Sequence, residues 1–135
     1  MSPRHPNKIS MRILIADDSD VVRRGIIGLL MPESRWIICG EARNGAEALQ
    51  KSSELQPDLI LLDVRMPDIN GLDVARRLKV ELPKAKILVI SQHDPVVLLP
   101  SVIEAGGDGC LDKGRLGTDL LPAIRSLEEL ARIEA

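Results

Sequence analysis

A chain of 135 residues holds one domain around a single core, which excludes an enzyme with a separate substrate lobe. Its 18 Lys and Arg stand against 20 Asp and Glu, and the net charge of −2 has the wrong sign for general attraction to nucleic acid or an anionic membrane. Hydrophobic residues at 44% and charged residues at 28% fit a globular domain, while a single Trp with no Phe or Tyr leaves out the stacking groups of single-strand binders.

The opening MSPRHPNKIS is polar and proline-bearing, without the apolar stretch of a signal peptide, and reads as a flexible segment (1–10) before a domain at 11–135. No apolar run approaches the ~20 residues that a bilayer requires, so a cytoplasmic protein without membrane contact is expected. Residues 11–16 (MRILIA) read as a first strand ending in Asp17 and Asp18. A helix should follow from Ser19 or Asp20 to Leu30, with Ile26, Ile27, Leu29 and Leu30 inward and Pro32 as its stop. A strand at 36–40 comes next, then a helix capped by Asn44 and ending before Pro57, because the residue preceding proline is pushed out of the helical region.

A third strand, 59–62, delivers Asp63, and the turn MPDING (66–71) leads to a helix at 72–82. A fourth strand, 86–90, ends at Ser91. Asp94 and Pro95 open a fourth helix in which Pro100 removes a backbone bond to Val96 and predicts a kink or an early end. A short fifth strand, 109–111, hands over to Lys113, and a last helix from about Thr118 carries Leu120, Ile124, Leu127 and Ala131 on one stripe. Cys39 and Cys110 lack the C-x-x-C spacing and read as buried thiols. Five βα units imply an α/β fold, a doubly wound parallel sheet with helices on both faces.

Ligands of such sheets bind beyond the carboxyl ends of the strands, where this sequence collects Asp17, Asp18, Asp63, Ser91 and Lys113. Two like charges ~4 Å apart repel by about 4 kcal/mol at an effective dielectric near 20, so clustered carboxylates call for a counterion. Mg2+ suits an all-oxygen set without His or Cys. Each residue also has a plainer role open to it: the aspartates and Ser91 as helix caps, Lys113 as a solvated amine.

The stretches ILIADDSDVVRRGI, CGEARNGAEAL, PDLILLDVRMPDINGLDVARRL, LVISQHD and AGGDGCLDK resemble, in order and spacing, the receiver domain of bacterial two-component response regulators. The resemblance runs from Met11 to about Ile133 and is strongest to the subgroup joined to a LuxR-type helix-turn-helix output domain. It implies the flavodoxin-like receiver fold, with strand order 2-1-3-4-5 and five flanking helices. It also implies that Asp63 accepts a phosphoryl group from a sensor histidine kinase in a phosphorelay. On that pattern Asp18, Asp63 and the Arg65 backbone carbonyl hold Mg2+, Asp17 acts through water, Lys113 pairs with phosphoryl oxygens and the Ser91 hydroxyl moves to bond one.

The chain departs from the pattern at Cys110, where the family carries an aromatic residue that moves with the Ser or Thr. Gln92 is bulkier than the usual small residue after Ser91, and Arg65 and His93 stand where the family tunes phosphoryl loss. Val96, Val97, Leu98 and Leu99 are too wide a run for one buried face. They suggest either a surface for a partner or a homodimer, or a tilted helix that buries all four.

Two further readings are weighed. A haloacid-dehalogenase-like phosphatase would put its nucleophile at the first strand with a second Asp two residues on, whereas Asp63 is followed at that distance by Arg65. A receiver-like interaction module could keep the acidic site without switching. The acidic, glycine-free ADDSD loop speaks against a dinucleotide or flavin site. Direct nucleic-acid binding is not expected of this chain, because the last helix uses up the residues after Lys113 and no helix-turn-helix follows it. A stand-alone receiver and one missing its output domain both remain open.

Overall fold

The computed structural model describes residues 11–134, so the segment 1–10, expected to be flexible, lies outside the described residues. In chain order the elements are β1 (Met11–Ala16), α1 (Asp20–Leu30), β2 (Trp36–Ala42), α2 (Gly45–Leu55), β3 (Leu59–Asp63), α3 (Gly71–Glu81), β4 (Lys86–Ser91), α4 (Pro95–Glu104) and β5 (Gly109–Asp112). A 3-10 turn (Lys113–Arg115) then leads into α5 (Leu116–Glu134). The strands pair in parallel in the order β2-β1-β3-β4-β5, as the resemblance implied.

Parallel pairing requires a crossover after each strand, and the helices cover both faces of the sheet. Ile13, Ile15, Leu59, Leu61, Leu88 and Ile90 point to the side covered by α1 and α5. Leu14, Ile60, Leu62, Ile87 and Val89 point to α2, α3 and α4. The central stretches of the inner strands, residues 13–16, 59–62 and 87–90, are apolar because both of their faces are buried.

Side-chain caps set the helix starts: Ser19 accepts from Val22 N, Asn44 from Glu47 N, Asn70 from Leu72 N and Asp94 from Val96 N. At the other end of α2, Gln56 adopts φ 50° directly before Pro57. None of the helices among the described residues is long and apolar enough to cross a membrane.

Four expectations need correction. The buried stripe of α1 holds Ile26 and Leu30 but also Arg23, with Ile27 and Leu29 only half-buried. The last helix starts at Leu116 rather than Thr118, continuing from the 3-10 turn, and Ala131 is exposed where its last turns pass the strand starts. Pro100 does not end α4, which runs four residues further. The carbonyl that Pro100 leaves without its helical donor belongs to Val96, an exposed residue in the first turn where water reaches it. Nor does α4 tilt to bury its apolar run: Val96 and Val97 are 78% and 76% exposed, Leu98 packs partly on the core and Val102 is the buried residue.

Candidate functional site

All five strands point the same way, so the residues after their ends meet on one rim. β1 lies between β2 and β3, and the pairing of Ala16 with Leu62 brings Asp17 next to Asp63. Asp63 in turn pairs with Ile90, one residue before Ser91.

Asp17 is buried, its Oδ1 accepting the Ser19 amide at 2.8 Å and its Oδ2 facing Lys113 Nζ at 2.9 Å. Asp63 is 2% exposed, its Oδ1 accepting the Arg65 amide at 3.1 Å and its Oδ2 accepting Lys113 Nζ at 3.1 Å. One ammonium therefore bridges carboxylates from two adjacent inner strands. Ser19 takes the capping role at α1, and Asp18 is exposed.

Oxygens of Asp17, Asp18 and Asp63 lie within 4.8 Å of one another. A cleft of 430 Å³ opens over them, lined by Asp18, Asp63, Arg65, Gln92 and Lys113 among others. Two buried carboxylates and one exposed carboxylate, with no His or Cys beside them, form a donor set for a hard cation that keeps part of its water shell.

Burial pushes the Asp63 carboxyl above its ordinary range, and the Asp17 charge adds to this, against the Arg65 amide and Lys113, which lower it. For Lys113 burial works against the charge, but the bonds to Asp17 and Asp63 outweigh it and raise its pKa. A carboxyl raised on folding binds its proton more tightly folded than unfolded. Its stabilising share is full below the unfolded range and is lost as pH rises through the raised value. Asp63→Asn removes that loss, so without Mg2+ its Tm at neutral pH is expected to lie a few degrees above wild type, the gap closing on acidification in calorimetric scans.

Ser91 is fully buried, and its Oγ accepts the His93 amide at 2.9 Å; the cap of α4 is Asp94 instead. Arg65 Nη1 approaches His93 Nε2 at 3.5 Å, close to Gln92 on the cleft wall. Cys110 pairs with Val89 between strands, half-buried, and burial together with Asp112 pushes its thiol pKa up. Both cysteines are free thiols.

Sequence reasoning missed three supports of this site. Arg23 donates to the Asp17 carbonyl. Asp68, in the loop after Asp63, accepts the amides of Gly45 and Ala46 at 2.8 and 2.9 Å, tying that loop to the start of α2. Gly71 donates its amide to Val64 O at 2.9 Å, and a Cβ there would stand 2.5 Å from Asp63 O. A larger groove, 670 Å³, opens at the opposite end of the sheet beside Met11, Leu59, Leu82 and Leu127, but none of the expected site residues lines it.

Residues 13–125 match the response regulator receiver domain. The chain belongs to this family. The transcriptional regulatory protein LnrK of Bacillus subtilis is 33% identical over 87% of the chain, and the response regulator GacA of Pseudomonas viridiflava 35% identical over 85%. Both relatives are longer: the chain spans about half their length, 53% and 54%. Among solved structures, a LuxR-family two-component response regulator from Aurantimonas superposes with a TM-score of 0.82 at 26% identity, covering 87% of this chain and 84% of that one. The chain is thus a receiver domain of the two-component systems, a signalling domain whose relatives regulate transcription. Family membership sets the phosphatase alternative aside. Receiver domains bind Mg2+ at an acidic pocket, and the cluster of Asp17, Asp18 and Asp63 is of that kind.

Proposed function

We propose that Asp63 accepts a phosphoryl group from a phosphohistidine on a sensor histidine kinase in the cytoplasm and later loses it to water, without acting as an enzyme on any other substrate. An Asp63 carboxylate oxygen attacks the phosphorus in line and the bond to the donor nitrogen breaks. The imidazole leaves with the electron pair and takes up a proton, and an acyl phosphate forms.

Mg2+ bound at Asp18, Asp63 and the Arg65 carbonyl supplies neutralisation of the phosphoryl charge. Asp17, buried behind the cleft, acts on it through water. Lys113 supplies the second cationic contact to the phosphoryl oxygens. The observation that carries this reading is the Lys113 ammonium at 3.1 Å from Asp63 and 2.9 Å from Asp17.

Ser91 then turns its hydroxyl to a phosphoryl oxygen and gives up the His93 amide, passing the event to the loop before α4. Cys110 stands in place of the usual aromatic residue in this switch. Arg65, Gln92 and His93, around the mouth of the cleft, set how readily water reaches the acyl phosphate. The exposed face of α4, carrying Val96, Val97 and Leu99 with Leu98 at its inner edge, is the surface for a partner or homodimer. A helix-turn-helix output domain in a longer protein would be the part that contacts DNA; this chain binds neither nucleic acid nor membrane.

Incubation with acetyl phosphate and Mg2+ should add roughly 80 Da, one phosphoryl group, to the wild type by mass spectrometry. The adduct is expected to vanish in Asp63→Asn and on chelation of Mg2+. A wild type that stays unmodified would support the second reading, a receiver fold kept as an interaction module, which Cys110 and the exposed α4 face favour.

A further inference from the structure

Beneath the acidic cluster lies a second charged assembly that the phosphoryl chemistry leaves unused. Arg23 shares the inward stripe of α1 with Ile26 and Leu30 and is 6% exposed, a burial that a guanidinium tolerates only with partners. It has three. Nη1 donates to the Asp17 carbonyl at 2.6 Å, Nε to Glu41 Oε1 at 2.8 Å, and Nη2 to Asp20 Oδ1.

Glu41 can reach it because the β1–β2 register shifts between Ile13 and Leu14. An unshifted ladder would pair Glu41 with Ala16, on the α2 side, whereas the shift pairs it with Ile15, on the α1 side. Burial opposes the Arg23 charge, and the bonds to Glu41 and Asp20 outweigh it.

We infer that Arg23 is a positioning residue for Mg2+: by clamping the Asp17 carbonyl it fixes the peptide between Asp17 and Asp18, and with it the directions in which both carboxylates leave the backbone. The Asp17 amide, donated to Ala42 O at 3.0 Å, holds the other side of that residue's backbone, and the Ser19 amide and Lys113 hold its carboxylate, but none of these holds the carbonyl that joins it to Asp18. Anchored by Glu41 on β2 and Asp20 on α1, the planar fork holds the carbonyl side, a geometry that a lysine point charge does not reproduce. This inference rests on the reading of the site as a Mg2+-dependent phosphoryl acceptor.

Calorimetric titration of Mg2+ alone into the unphosphorylated protein tests it. Arg23→Met is expected to weaken Mg2+ binding about tenfold, the lower end of what loss of an outer partner costs a metal site. Coulomb's law predicts the opposite sign, since removing a nearby cation favours a bound divalent ion, so weaker binding reports lost geometry rather than lost charge. Arg23→Lys keeps the charge and is expected to weaken binding several-fold. In both variants phosphoryl uptake from acetyl phosphate should be slow at low Mg2+ and return towards wild type at saturation.

Unchanged or tighter Mg2+ binding in a variant with wild-type far-UV circular dichroism overturns the role of Arg23, as does a rate defect that excess Mg2+ does not relieve. If Arg23→Met does not fold, Arg23→Lys decides by the same criteria. A wild type that takes up neither Mg2+ nor a phosphoryl group overturns the underlying reading as well; a wild type that takes up both, with variants that match it, overturns only this one.

Discussion

Lys113→Ala is expected to slow phosphoryl uptake from acetyl phosphate by about 10²–10³-fold at saturating Mg2+, the usual cost of removing one preorganised group that stabilises developing charge. Stopped-flow or timed mass spectrometry would give the rate, and a rate within twofold of wild type would remove Lys113 from the mechanism. The same change should lower stability without Mg2+, because Asp17 and Asp63 lose the ammonium that now sits between them.

Breaking a buried ion pair costs about 3–5 kcal/mol, and the lower end applies where a cleft admits water. The pH dependence carries a definite sign. Asp63 is already raised by burial, and Lys113 is one of the groups that lower it, so its removal raises that carboxyl further. The deficit in urea denaturation is therefore expected to be largest at neutral pH and to shrink on acidification through the carboxylate range.

Gly71→Ala is expected to cost about 1–3 kcal/mol in stability and to impair phosphoryl uptake as well. An added Cβ would lie 2.5 Å from Asp63 O, 2.6 Å from Val64 Cα and 2.9 Å from Val64 O, all of them backbone atoms that no rotamer change can move. Relief requires either that α3 retreat, giving up the bond from Gly71 N to Val64 O, or that the end of β3 shift with Asp63 on it. Chemical denaturation and the acetyl phosphate assay on the same sample check both effects. A variant as stable and as reactive as wild type would show that this close approach does not constrain the site.

Much of this architecture was legible because the inner strands are buried on both faces over most of their length and so read as largely apolar runs, each closed by a polar residue. MRILIA before Asp17, LILL before Asp63 and KILVI before Ser91 gave away both the strands and the rim on which their ends meet. Helix starts were legible where a side chain caps them, as at Asn44 and Asp94.

What escaped was tertiary. Arg23 falls at the helical spacing of Ile26 and Leu30, a signal that was present, but a charged residue is read as solvated until its acceptors are known, and Glu41 becomes one only through a register shift that no local pattern announces. Asp68 reads as a turn residue, although its carboxylate serves the start of a helix more than twenty positions earlier in the chain. The role of Gly71 depends on a distance between two backbones, which sequence spacing does not encode.

The order of the strands separates the two signs of charge mechanically. The acids follow β1 and end β3, strands each hydrogen-bonded to neighbours on both sides, whereas the amine follows β5, a four-residue strand at the margin of the sheet with one neighbour and no fully buried position. The fixed positive charge of the pocket therefore depends on one strand pairing and on the turn into α5, where buried Leu116 follows two residues after Gly114, while each acid depends on two strand pairings.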